Sequence, residues 1–153
     1  PKKKTEGIMK KERAFSQMQL AMPTLAQYES KPEFVKSIAG YSGAMARNFR
    51  ATADPDERMY LQAADAWVRA KLRDESGAAI SEEEMAKEYS TFFPQFNDTP
   101  ELIAEKARMR GKLTEQMGSA SGVKDPSDAP PATDSDLTPL VVGKIEIVEM
   151  KES

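Results

Sequence analysis

The sequence has no cysteine and no histidine. Without cysteine there is no disulfide framework and no thiolate chemistry, and the redox compartment is left open. Without histidine the commonest general base and the commonest metal ligand are both missing, which rules out an imidazole-dependent catalytic triad. Aromatic residues are sparse, with one Trp, four Tyr and six Phe. No apolar run approaches the roughly 20 residues of a membrane-spanning helix, and the signal-peptide pattern of basic start, apolar core and small-residue cleavage site does not occur. The basic excess of a general nucleic-acid binder is also lacking, because the net charge is −3. No glycine-rich phosphate loop occurs. No cofactor, metal or small-molecule substrate is expected.

What remains is a chain of 153 residues, 39% hydrophobic and 31% charged, enough for one domain with a moderate core plus some unstructured length. Nine Met residues supply adaptable apolar contacts in place of the missing aromatics. The ends differ in sign. Residues 1–13 hold six Lys or Arg against Glu6 and Glu12, a balance of +4; residues 119–153 hold three Lys against seven Asp or Glu, a balance of −4. Solvation of the ends explains this, with steering toward a neighbouring copy as the alternative. The opening Pro1, without Met and followed by Lys2, Lys3 and Lys4, suggests a piece of a longer or processed chain.

Periodicity and capping signals predict an all-α protein. A first helix spans Thr5 to Ala21, with Ile8, Phe15, Met18 and Met22 as its stripe; Pro23 interrupts it before a short continuation to Tyr28. A second follows Pro32, carries Phe34, Val35, Ile38, Tyr41, Met45 and Phe49, and contains Gly40 and Gly43. A third opens at Asp54-Pro55, buries Tyr60, Trp67, Val68 and Leu72, and stops near Glu75. Ser81 and Glu84 form a capping box for a fourth, which Pro94 ends. Thr99-Pro100 opens a fifth that Gly118 closes. Trp67, Phe92, Phe93 and Leu72 are expected to pack most tightly.

The domain plan is therefore a helical domain over 1–118, a flexible Pro/Ser/Asp-rich linker over 119–136, and a C-terminal strand segment over 137–153. That strand carries Leu140, Val141, Val142, Ile145, Ile147 and Val148. A lone strand leaves its backbone donors and acceptors unpaired. It pairs with the sheet of another chain, or its sheet continues beyond Ser153; partner pairing is the expectation adopted. The helices are expected to form a bundle or an extended layer without a complete core of its own, whose apolar stripes other polypeptides complete.

Three constellations bear on chemistry. Glu82, Glu83 and Glu84 sit in the first turn of a predicted helix, where acidic charge complements the helix dipole. Lys106, Arg108, Arg110 and Lys112 are spaced by two, so they spread around the fifth helix as a solvated surface with at most weak DNA contact. The stretch from Asp74 through Glu75-Ser76-Gly77 to Ser81 resembles the Glu-Ser segment of lytic transglycosylases, where a helix-terminal Glu is the acid. The Gly-rich continuation ending in Gln is absent, so a helix–turn–helix corner with Ile80 packed inward is the expected role.

About residues 5–118, most specifically the run from Tyr60 to Arg110, also resemble a domain of tailed-bacteriophage virion proteins described as internal, ejection or DNA-transfer proteins. The shared pattern is the helix Trp67-Val68-Arg69-Ala70-Lys71-Leu72-Arg73-Asp74-Glu75-Ser76-Gly77-Ala78, the turn Phe92-Phe93-Pro94, the cap Asp98-Thr99-Pro100 and a final Lys/Arg-rich helix. Phe96-Asn97 stands where that pattern has a shorter Pro-Gly turn. The resemblance implies a multicopy virion component near the portal or tail. It would be non-enzymatic and would contact other virion proteins and copies of itself. A fragment of a peptidoglycan-degrading virion enzyme is the alternative.

Overall fold

The computed structural model describes residues 5–41, 46, 54–76 and 79–122. Among these the chain is all-helical, with α1 (Glu6–Glu29), α2 (Pro32–Ala39), α3 (Pro55–Glu75), α4 (Glu82–Phe92) and α5 (Pro100–Ser121). The predicted linker beyond Gly122 and the segment carrying Leu140, Val141, Val142, Ile145, Ile147 and Val148 lie outside the described residues, as do Gly43, Met45 and Phe49.

Local signals set most helix starts. Thr5 Oγ1 accepts from the Ile8 amide, Asp54 from the amides of Asp56 and Glu57, and Thr99 from Leu102. Ser81 and Glu84 form the reciprocal capping box. Each side-chain cap satisfies an amide that has no partner inside its own helix.

Three helix ends differ from the local expectation. α1 runs unbroken through Pro23 to Glu29. Proline removes one helical hydrogen bond at a cost of about 3 kcal/mol. Met18 and Ala21 before it and Leu25 and Tyr28 after it are all buried on one face, and that packing outweighs the loss. Ile8, expected in the stripe, is exposed instead. At the other end of the chain, α5 passes Gly118 and stops at Gly122, whose φ of 83° is the left-handed cap. Gly118 is interior because Phe15 lies on it: a Cβ there would stand 2.6 Å from Phe15 Cε1. Gly40 likewise caps α2 rather than lying inside it.

α1 is the central element and packs most extensively on α3, then on α5. Lys11 of α1 meets Asp74 of α3 at 2.9 Å, while the Tyr28 hydroxyl donates to Asp56 at 2.9 Å. The two helices are therefore antiparallel. α5 also opposes α1, since Gly118 sits under Phe15 and Arg110 meets Glu29. The few aromatics form one continuous ladder, in which Tyr28 stacks on Phe34 at 4.8 Å, Phe34 meets Tyr60 at 5.4 Å, and Phe93 joins Tyr60 to Trp67 at 6.3 and 5.9 Å. Trp67 and Phe93 are fully buried, with Phe92 and Leu72 close behind, as expected.

The interior is thus closed within a single chain. Met18, Leu25, Ile38, Tyr60, Leu61 and Val68 are all excluded from solvent without any partner. This corrects the expectation of an extended layer with unfinished stripes: the stripes of α1, α3, α4 and α5 complete one another.

The two glycines of α5 give a paired test. Gly118→Ala forces the Phe15 ring to move and is expected to lower stability by about 1–2 kcal/mol, overpacking outweighing the gain in helix propensity. Gly111, with nothing within 4 Å of its Cβ position, should gain up to about 1 kcal/mol on substitution by Ala. Urea midpoints of the two variants should move in opposite directions.

Candidate functional site

The four basic residues of α5 divide cleanly. Arg108 and Lys112 are exposed, and Arg108 pairs with Glu105 at 2.5 Å. Lys106 and Arg110 are buried, one turn apart on the inward face. Lys106 Nζ donates to the carbonyls of Ser90 and Phe93, both at 3.0 Å, and pairs with Asp98 at 2.6 Å. Arg110 donates to the Phe92 carbonyl at 2.6 Å and pairs with Glu29. Together they satisfy the carbonyl end of α4, where helix-terminal oxygens carry negative partial charge. The expected solvated surface is corrected: two of its four cations are structural.

Arg110 is also the meeting point of four helices. Glu29 at the end of α1 accepts from Arg110 and, at 2.5 Å, from the Tyr60 hydroxyl of α3. The guanidinium lies over the Phe93 ring at 4.5 Å. One turn on, Trp67 Nε1 donates to Thr114 Oγ1 at 3.0 Å, and Thr114 in turn donates to the Arg110 carbonyl. Burial raises the Tyr60 phenol well above its usual range, and the neighbouring Glu29 charge adds to this. Burial raises Tyr89 too. Sequence reasoning missed this cluster because Glu29 and Arg110 are far apart in the chain. The legible hint was the i, i+4 spacing of Lys106 and Arg110.

Glu75 ends α3, with its carboxylate 2.6 Å from Lys71 Nζ and its side chain half exposed. Lys71 reaches Glu88 as well, at 2.8 Å, and stacks over Phe92 at 5.2 Å. Burial works to lower the Lys71 pKa, but its hydrogen bonds to Glu75 and Glu88 outweigh that and raise it. The carboxylate is therefore tied to a persistent cation. Ile80 is partly buried against the core, as the corner reading required. Glu82, Glu83 and Glu84 occupy the first turn of α4 and are exposed. No group of three or more carboxylates among the described residues is placed to hold a metal.

A cavity of about 190 Å³ opens beside Glu75, where α1 begins and α3 and α5 end. Met18, Leu113, Met117 and Ala120 form its apolar part; Lys11 and Lys71 face Asp74 and Glu75 at its rim. No aromatic side chain lines it. It is small beside pockets that enclose whole ligands, about 300 Å³ and upward, and its charges are already paired. The partner-binding residues expected from sequence, Leu140 to Val142 and Ile145 to Val148, lie outside the described residues. No helix among the described residues is long and apolar enough to cross a membrane. Comparison with protein-family models, curated proteins and solved structures finds no match.

Two outcomes follow from this chemistry. Arg110→Ala leaves the Glu29 carboxylate without its cation, with only the Tyr60 hydroxyl still donating to it, and the Phe92 carbonyl without its side-chain donor; it should cost about 3–5 kcal/mol in a urea titration. The pH dependence follows from the tyrosines. Burial first, then the hydrogen bond to Asp56, pushes Tyr28 up to about 12, and Tyr60 and Tyr89 are raised as well. An unfolded tyrosine titrates near pH 10. A folded pKa above that value gives stability that is complete below about pH 10 and fades as the pH climbs through the folded values. Tm should therefore hold steady from neutral pH to about 9 and fall steeply above 10, with tyrosinate absorbance appearing together with unfolding.

Proposed function

We propose that this chain is a non-enzymatic, multicopy structural component of a tailed-bacteriophage virion, near the portal or tail, acting by protein contact in assembly and genome delivery. The observation that carries the reading is the placement of the residues that resemble virion domains. Trp67, Phe92, Phe93, Lys106 and Arg110 all build joints between helices, and Thr99 caps the last of them. A pattern made of joints describes a scaffold rather than a reaction centre. The inward Lys106 and Arg110 leave little free basic surface on α5 for phosphates. Glu75, the one acid with a catalytic precedent in its local sequence, is held by Lys71 beside a cavity without the aromatic platforms that clamp sugars.

Mass spectrometry of purified particles from the phage or prophage that encodes the chain should find it in several copies. Its absence from intact particles sinks the proposal. Murein hydrolysis assays with the wild type and Glu75→Gln should both read blank; activity that Glu75→Gln removes would establish the peptidoglycan-degrading alternative. Electrophoretic mobility of DNA should be unchanged at low salt, where phosphate contacts are strongest.

A further inference from the structure

The large apolar side chains left exposed among the described residues fall mostly into two groups. Ile8 and Met9 lie on the first turn of α1, where Glu6 and Gly7 are exposed as well, so a full turn of that helix is uncovered. Phe96, the most exposed of these side chains, stands on the turn before α5, and Leu102 follows on the first turn of that helix. The turn that presents Phe96 is pre-formed. Asn97 takes a left-handed φ of 70°, the Asp98 amide donates to the Gln95 carbonyl at 3.0 Å, and the Asp98 carboxylate accepts from the Gln95 amide at 2.9 Å. Because α1 and α5 are antiparallel, with Arg110 meeting Glu29 and Gly118 under Phe15, the two groups sit at opposite ends of the bundle. They are separated by roughly 35 Å, the length of α1. One chain cannot join its own two groups.

We infer that the chain associates head to tail with copies of itself, Phe96 and Leu102 of one copy docking on Ile8 and Met9 of the next. A foreign protein would account for either group alone, whereas a second copy accounts for both with one contact. Charge decides against like-to-like pairing. Glu101 is exposed beside Leu102, Arg13 is exposed one turn on from Met9, and neither has an ion-pair partner among the described residues. Head-to-tail docking sets Glu101 against Arg13, and Lys10 keeps the receiving end positive despite Glu6. Pairing the Phe96 end with itself sets Glu101 against Glu101, which is repulsive. A pre-formed aromatic anchor also loses little freedom on docking. Two side chains from each copy bury far less than the roughly 1,200 Å² of a lasting interface. Free copies therefore associate weakly, and repetition within an assembly multiplies the effect. Such a contact closes into a ring or extends as a filament. It supplies the contact between copies in the virion reading, but it stands on these two surfaces alone.

The test uses the full chain. Rotational correlation time from NMR relaxation should rise at least about twofold between ~0.05 and ~1 mM wild type, a range suited to weak contacts. Amide shifts of Ile8, Met9, Phe96 and Leu102 should move together over the same range. Phe96→Asp removes the anchor and Met9→Asp the receiving surface; both positions are exposed, so neither change disturbs the interior. Each variant alone should stay monomeric. Mixed in equal amounts they should associate again and stop at two chains, because each supplies the half that the other lacks. Wild type that stays monomeric at ~1 mM overturns the inference. So does a mixture that stays monomeric while the wild type associates, and so does either variant associating as the wild type does. A monomeric chain found in several copies in particles overturns this inference and leaves the virion reading standing; an associating chain absent from particles does the reverse.

Discussion

The arrangement depends on one buried cation. Arg110 holds the end of α1 through Glu29, the last turn of α4 through the Phe92 carbonyl, and the Phe93 ring through its face, while Glu29 holds Tyr60 of α3. An ion pair of this kind contributes little net stability compared with an apolar replacement of the same shape, because both charges lose their water. Its effect is on uniqueness. Apolar helices slide against one another at little cost, whereas any slip here leaves a charge or a carbonyl without a partner. The aromatic ladder supplies the apolar burial, and Arg110 with Lys106 fixes the register in which that burial occurs.

How much of this could be read in advance divides along a physical line. Helix starts were legible because their causes are local: Asp54 before Pro55, Ser81 with Glu84, and Thr99 before Pro100 each satisfy amides within three residues. The aromatic core around Trp67, Phe92 and Phe93 was legible as well, since large apolar groups have few alternatives to burial. Pro23 and Gly118 misled for one reason. Each is a local stop signal overruled by a distant surface, α3 in the first case and Phe15 in the second. Charges were the least legible. Lys106 and Arg110 resemble solvated residues until the open end of α4 is brought to them, and no local pattern announces that meeting. The segment carrying Leu140 and Val148 lies beyond the described residues, so the expectations placed on it stay as sequence readings.

The same division bears on function. Residues 60–116, the stretch on which the proposed virion role rests, build the interior of the bundle. Large apolar side chains are left exposed at the start of α1, where Ile8 and Met9 lie, and on the turn that presents Phe96, 76% exposed. Phe96 stands on a rigid platform. Asn97 takes a left-handed φ of 70°, and Asp98 accepts from the Gln95 amide while pairing with Lys106.

The double clamp on α4 has a dynamic consequence. If this short helix swung away alone, it would break at once the hydrogen bonds that Lys106 and Arg110 donate to the carbonyls of Ser90, Phe92 and Phe93, together with the packing of Phe92 and Phe93. Partial opening of that kind is costly enough to be suppressed. α4, the turn and α5 are therefore bound to fluctuate as one cooperative unit, with slow amide exchange shared across all three and no cheap frayed intermediate between closed and fully detached.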